Sequence, residues 1–109
     1  GHTLVVPVAH VDTLDDLLPA QVGPLFEVVR RISIAVQQGL GATGSFVAAN
    51  TKISQSVPHV HVHVVPRNDG DGFFSPRPIW KRRSYTSAAE AAAYAEKIRA
   101  ALSAGGPTG

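Results

Sequence analysis

Residues 59–64 alternate strictly between histidine and valine, and this alternation restricts the local fold more than any other feature of the chain. Successive side chains of a β-strand point to opposite faces of the sheet. We therefore predict a strand over residues 58–65 whose valines, Val60, Val62 and Val64, face the core. The histidines then share the opposite face, with neighbours about 7 Å apart along the strand.

The rest of the chain predicts an α+β domain with an antiparallel sheet, one long helix packed on it and a C-terminal helix. Short β-branched apolar runs indicate strands, and apolar residues at helical spacing indicate the long helix. Capping-box spacing of Ser87 and Glu90 indicates the start of an Ala-rich helix. The predicted elements are strands over residues 4–8, 45–50 and 58–65, a short helical turn at residues 13–16, a long helix up to Leu40 and a C-terminal helix from Ser87 to about Leu102.

The length of 109 residues and the hydrophobic content of 44% fit one domain, which we place at residues 1–104, with a flexible tail at residues 105–109. The net charge of +2 is too small to indicate a nucleic-acid partner. The sequence has no cysteine, no apolar run of membrane-spanning length and no signal-peptide pattern. We therefore expect a cytoplasmic protein without a membrane partner.

The three aligned histidines indicate a catalytic or metal-binding function: His59, His61 and His63. One histidine on a strand is usually structural, but three on a non-core face are hard to explain by a structural role. Imidazole exchanges protons near neutral pH, so such a row suits proton transfer better than stability. It also suits nucleophilic attack on phosphorus, or metal ligation with His10 as a further ligand. Three neighbouring polar side chains favour phosphorus chemistry, since they offer hydrogen-bond donors: Asn50, Gln55 and Ser56.

Two segments resemble the histidine-triad (HIT) family. The segment from Gln55 to Arg67 reads Gln-Ser-Val-Pro-His-Val-His-Val-His-Val-Val-Pro-Arg and is similar to the family signature, His-x-His-x-His followed by two apolar residues. The segment from Gly1 to Pro7 is similar to the earlier Gly-His-x-Leu-x-x-Pro strand of the family, and His10 follows it like the further active-site histidine. The last triad position is glutamine in related uridylyltransferases, so the histidine found here favours the hydrolase side.

The resemblance implies roles for individual residues. His61 would attack the α-phosphorus of a nucleotide and form a nucleotidyl-histidine intermediate, supported by hydrogen bonds from His59 and His10. His63 would contact the phosphate or the leaving group. The phosphate-binding residues implied by the family are Asn50, Gln55 and Ser56 together with His61 and His63.

The resemblance also implies a substrate and an assembly. The substrate would be a purine nucleotide, such as a dinucleoside polyphosphate or a nucleoside phosphoramidate, and the protein would be a homodimer whose sheet continues across the interface. No metal would be required at the triad, although magnesium could accompany a polyphosphate. Residues that hold the base and ribose are expected in a segment upstream of Gly1.

This sequence departs from the family pattern near the triad. Ser54 replaces the usual glycine before Gln55, and the spacing from Asn50 to Gln55 is shorter than in many members. Two other functions stay open: a nucleotide-binding regulatory protein with little turnover, and a His-based metal-binding module. We expect the loop at residues 68–80 to lie on the leaving-group side of the site. Four aromatic residues should either shape the pocket or anchor the C-terminal segment: Phe73, Phe74, Trp80 and Tyr85.

Overall fold

The computed structural model describes residues 1–73 and 87–105 of the chain. In these residues the elements follow one another as β1 (Thr3–Val5), a 3-10 turn (Leu14–Asp16), α1 (Pro19–Leu40), β2 (Gly44–Ala48), β3 (Val62–Arg67) and α2 (Ala88–Gly105). The architecture is α+β with an antiparallel sheet and two helices, so the predicted fold class is confirmed. Phe74, Trp80 and Tyr85, the loop from residue 74 to 80 and the last four residues of the predicted tail lie outside the described residues.

The histidine-valine segment supplies the middle strand of the sheet, whose order is β1-β3-β2. Val62 pairs with Val5 on one side, and Val64 pairs with Val47 on the other. Val60, Val62 and Val64 are at most 2% exposed, whereas the histidines between them are partly exposed. The predicted division into a core face and a histidine face is therefore confirmed.

Helix α1 covers the core face of the sheet. It begins at Pro19, where the missing N–H would have no helical partner in any case. The Gln21 side chain accepts a hydrogen bond from the Leu18 N–H at 2.8 Å and so caps the first turn. The helix ends where Gly41 adopts a φ of 67°, a left-handed conformation that favours glycine. Its buried residues are Leu25, Val29, Ala35 and Val36.

Helix α2 packs against the C-terminal half of α1 and adds Ile98 to the core. The Ser87 hydroxyl accepts a hydrogen bond from the Glu90 N–H at 3.1 Å, which confirms the predicted cap. The two helices approach closely at Gly39, where an added Cβ would lie 2.5 Å from the Lys97 carbonyl oxygen. Neither of the described helices is long and apolar enough to cross a membrane.

The boundaries of two predicted strands are wrong. β3 begins at Val62 rather than at residue 58, because the His59 N–H closes a tight turn onto the Val57 carbonyl oxygen at 2.8 Å instead of joining the ladder. β1 ends at Val5, whose partner is the first residue of β3, so Val8 continues beyond the ladder and is fully exposed.

The ends of the other elements differ less from the predicted ones. β2 lies slightly upstream of its predicted range. Pro66 lies inside β3 rather than closing it, and pairs with Ser45 of β2 beyond the stretch that faces β1. A proline is tolerated there because that side of the strand has no β1 partner to bond. Helix α2 continues past its predicted end to Gly105.

Candidate active site

The histidine face of the sheet borders a cavity of about 360 Å³. The cavity lies where β1, the residues before β3 and the beginning of β3 meet. All three predicted triad histidines reach it, so one wall is rich in imidazole. The lining residues are His2, Leu4, Val6, Ser56, Val57, His59, His61 and His63.

His61 has a defined tautomer. Its Nδ1 lies 2.8 Å from the carbonyl oxygen of His59. A carbonyl oxygen only accepts hydrogen bonds, so Nδ1 carries the proton. In the neutral ring the proton-free lone pair is then on Nε2. The middle histidine of the row is therefore held as a base and potential nucleophile.

His59 is fixed by contacts to the segment that follows β1. Its Nε2 donates a hydrogen bond to the Pro7 carbonyl oxygen at 3.0 Å. The next residue, Val60, donates its N–H to the Val11 carbonyl oxygen at 2.7 Å. These two hydrogen bonds join the residues before β3 to residues 7–11. They also hold in place the His59 carbonyl oxygen, which accepts the hydrogen bond from His61 Nδ1.

His63 contacts a histidine that the sequence analysis did not select as a site residue. The Nε2 of His2 lies 2.9 Å from the Nδ1 of His63, so one ring donates an N–H hydrogen bond to the other. The His63 ring also meets the His61 ring edge to face, with 5.0 Å between centroids. The pairing of Leu4 with His63 brings His2 to this place. The signal in the sequence was the Gly-His pair at the start of β1, next to the strand pattern.

His10 lies behind the triad rather than in the cavity wall. Its ring centroid is 5.4 Å from that of His59, and its Nε2 donates to the Asp12 carboxylate at 2.6 Å. Both partners of this ion pair are well exposed. His10 therefore contacts His59, while the residues that line the cavity do not include it.

The three predicted donors before the triad occupy different positions. Ser56 lines the cavity, as a phosphate-binding residue would. Gln55 directs its amide away, to the carbonyl oxygens of Asp12 and Val57. Asn50 is exposed, and its amide donates to the Ser54 carbonyl oxygen at 3.5 Å.

The loop that carries these donors contains two residues in the left-handed conformation. Lys52 has a φ of 69° and Ser54 a φ of 60°. Glycine adopts such values without steric cost, whereas other residues are strained there. The glycine that the resemblance leads us to expect in place of Ser54 would adopt this conformation without strain.

Part of the cavity lining is apolar. Leu4, Val6 and Val57 line the cavity and are each about half exposed. Among the described residues, no group of three histidine, aspartate or glutamate side chains is placed to hold a metal ion. The arrangement as a whole combines one imidazole of defined tautomer, a hydrogen-bonded histidine pair, a hydroxyl group and an apolar surface.

A family model for the HIT domain matches residues 1–70. The chain is 37% identical over 73 residues to the bis(5'-nucleosyl)-tetraphosphatase [asymmetrical] of Schizosaccharomyces pombe, covering 65% of this chain and 40% of that protein. It is 30% identical over 73 residues to adenylylsulfatase HINT3 of Arabidopsis thaliana, covering 65% of this chain and 37% of that protein. The chain thus spans less than half the length of either relative.

Solved structures share the fold. A zinc-bound histidine triad family protein from Mycobacterium smegmatis is 34% identical, with a TM-score of 0.75 over 94% of this chain and 69% of that chain. The match of the family model, the relatives and the three-dimensional likeness agree with the histidine geometry of the cavity. This chain belongs to the histidine-triad (HIT) family.

Proposed function

We propose that this protein is a nucleotide phosphate hydrolase or transferase that acts at the α-phosphorus through a covalent nucleotidyl-His61 intermediate. One observation carries the proposal: the 2.8 Å bond from His61 Nδ1 to the His59 carbonyl, which leaves the Nε2 lone pair available beside the cavity. A neutral imidazole with a fixed tautomer is the form that attacks phosphorus.

In the first step His61 Nε2 forms a bond to the α-phosphorus while the bond from phosphorus to the leaving group breaks. The leaving group departs with the electron pair of that bond. The His61 ring becomes positively charged, so its Nδ1–H bond to the His59 carbonyl becomes charge-assisted and roughly twice as strong. Since this gain appears only as charge develops, it lowers the barrier rather than merely tightening substrate binding.

The leaving group needs a proton, and His63 and His2 are placed to supply it. One ring donates an N–H hydrogen bond to the other across 2.9 Å and both line the cavity, so the pair in its protonated form can deliver a proton to the leaving group. Proton donation to a leaving group accelerates a chemical step by roughly 10²–10⁴-fold. Ser56 supports the same step by donating its hydroxyl to a phosphate oxygen.

In the second step water attacks the phosphorus and the bond to His61 Nε2 breaks, so a nucleoside monophosphate leaves with a neutral His61 restored. The water gives up a proton to the His63–His2 pair, which replaces the one that the pair lost in the first step. An acceptor other than water would make the same reaction a transfer. Asn50 and His10 remain predicted participants, Asn50 at the phosphate and His10 through its contact with His59.

The proposed substrate is a purine nucleotide joined through its phosphate to a second group, as in a dinucleoside polyphosphate or a nucleoside phosphoramidate. The names of the two relatives support reactions at nucleotide phosphate. The apolar wall formed by Leu4, Val6 and Val57 supports a substrate with a flat apolar part. If the substrate is a polyphosphate, magnesium would arrive bound to it. No metal is proposed at the triad.

The proposal is tested by turnover of diadenosine tetraphosphate and of adenosine phosphoramidate, comparing wild type with His61→Asn. We expect nucleoside monophosphate from wild type and a loss of roughly 10³-fold or more in kcat/KM for the variant. His10→Asn is the matched control, since this histidine lies outside the cavity wall, and its loss should be much smaller.

Two results would replace the proposal. Tight nucleotide binding by wild type without turnover would favour a nucleotide-binding regulatory protein. Stoichiometric zinc that survives dialysis and is lost in His59→Asn and His63→Asn would favour a metal-binding module, the second alternative that the histidine row suggests.

We also propose a cytoplasmic homodimer whose sheet continues across the interface. β2 is an edge strand of the described sheet, and Val47 on it is 40% exposed although its partner Val64 is fully buried. Val22 and Phe26 of α1 are exposed to a similar extent. A second copy that pairs along β2 would cover Val47. Light scattering after size-exclusion chromatography should give twice the monomer mass, and a monomer mass at micromolar concentration would contradict the proposed dimer.

A further inference from the structure

We infer that Gln55 is a positioning residue for His61, which it holds through two backbone carbonyls, and that it is not a ligand of the substrate phosphate. The inference rests on the proposed nucleophilic role of His61. It gives Gln55 a different role from the one that the family resemblance implies.

The Gln55 amide group is fully used by the protein backbone. Its Nε2 donates to the Asp12 carbonyl oxygen at 2.5 Å and to the Val57 carbonyl oxygen at 3.0 Å. Its Oε1 accepts a hydrogen bond from the Lys52 N–H at 3.0 Å. A glutamine amide has two N–H donors, so both are occupied. A contact to phosphate would require one of these bonds to break.

A continuous series of hydrogen bonds leads from Gln55 to the nucleophile. The Val57 carbonyl that Gln55 contacts also accepts the His59 N–H at 2.8 Å. The His59 carbonyl in turn accepts the His61 Nδ1–H at 2.8 Å. Gln55 therefore fixes the turn from Val57 to His59. The His59 carbonyl in that turn selects the His61 tautomer and the direction of its Nε2 lone pair.

The same amide stabilises a strained loop. Lys52 and Ser54, with positive φ values, lie within three residues of Gln55. Strained backbone conformations persist only where the surrounding contacts require them. The bond from the Lys52 N–H to Gln55 holds one end of the loop, and the bond to Asp12 ties it to the segment beside His10.

Ser56 is the donor better placed for phosphate. It lines the cavity with the histidines, whereas the lining residues do not include Gln55. In this chain the serine faces the cavity and the glutamine faces the backbone.

The first test compares Gln55→Glu, Ser56→Ala and Gln38→Glu in steady-state cleavage of diadenosine tetraphosphate. Gln55→Glu keeps the shape but cannot donate to the two carbonyls, so we expect kcat to fall roughly ten- to a hundredfold with little change in KM. Ser56→Ala should mainly raise KM. Gln38→Glu makes the same chemical change on the exposed surface of α1 and should leave both constants unaltered. A rise in KM as the main effect of Gln55→Glu would overturn the inference.

The second test does not depend on turnover or on the folding of a variant. Long-range ¹H–¹⁵N NMR spectra of the wild-type histidines report which His61 nitrogen carries the proton, and the Gln55 side-chain amide is followed while AMP is added. We expect an Nδ1–H tautomer for His61 and Gln55 amide signals that barely move, while the Ser56 backbone signal shifts. Large shifts of the Gln55 amide on AMP binding would show a phosphate contact and overturn the inference.

These measurements separate the two proposals. Failure of wild type to cleave any nucleotide would contradict the proposed function but would leave the tautomer spectrum and the AMP titration interpretable. Nucleotide cleavage by wild type together with large shifts of the Gln55 side-chain amide on AMP binding would contradict the positioning role alone.

Discussion

Asp71 forms a two-bond ion pair with an arginine where β3 ends. The Arg67 guanidinium donates twice to the Asp71 carboxylate, at 2.5 and 2.7 Å. The same carboxylate accepts the backbone N–H groups of Asn68 and Phe73. Hydrogen bonds from Arg67 first, and from these N–H groups, hold the pKa of Asp71 well below its usual range.

The lowered pKa of Asp71 predicts how stability changes with pH. The unfolded state takes up the proton first, near pH ~3.9, so the stabilisation is fully present above that pH and is lost as pH falls towards the folded-state pKa. We expect Asp71→Asn to be less stable than wild type at pH 7 and the difference to shrink below about pH 4. Urea unfolding at several pH values measures this, with Asp69→Asn in the same turn as control. A difference that is constant with pH would contradict the expectation.

Ser54 shows how a single backbone angle costs stability beside the site. Its φ of 60° is strained for a residue with a Cβ, and glycine removes the strain. We expect Ser54→Gly to raise the free energy of unfolding by roughly 1 kcal/mol, or the Tm by about 4–8 °C. Calorimetry checks this, with Ser103→Gly as a matched control in α2, where glycine should be destabilising. Equal losses in both variants would contradict the account.

At the scale of elements, the contact between α1 and α2 depends on a missing side chain. A Cβ on Gly39 would lie 2.5 Å from the Lys97 carbonyl oxygen, which is backbone and cannot rotate away. We expect Gly39→Ala to lower the free energy of unfolding by about 1–3 kcal/mol through overpacking.

Gly23→Ala is the matched control for this contact, because it makes the same change earlier in α1 with nothing within 4 Å. It should stabilise the protein by roughly 0.5–1 kcal/mol, since alanine forms helices better than glycine. Chemical denaturation of the two variants distinguishes them, and a stabilising Gly39→Ala would show that the helices do not pack as described.

The elements themselves were largely predictable because their signals are local. The period of two around the triad identified the buried valines and the histidine face, and Gly41 marked the end of α1. The start of β3 was not predictable, because the turn between His59 and Val57 interrupts a sequence pattern that continues unchanged. A strand boundary of this kind is decided by hydrogen bonds rather than by side-chain period.

At the scale of the whole molecule, the candidate site joins segments far apart in the sequence. His2 meets His63 only because β1 pairs with β3 in one particular register, which single-residue patterns do not report. The Gln55 side chain likewise donates a hydrogen bond to the carbonyl oxygen of Asp12, 43 residues earlier in the sequence. The sequence therefore predicted the row of three histidines but not the fourth cavity histidine, His2, or the backbone contacts of Gln55.

The central claim is that His61 becomes covalently nucleotidylated, and trapping that intermediate tests it most directly. Wild type is mixed with adenosine phosphoramidate or diadenosine tetraphosphate, quenched rapidly in alkali and analysed by mass spectrometry of the intact protein and its peptides. We predict one acid-labile adenylyl group, attached to His61 and absent from His61→Asn. Substrate cleavage by wild type with no adduct under single-turnover conditions, or an adduct on His59 or His63 instead, would contradict the account.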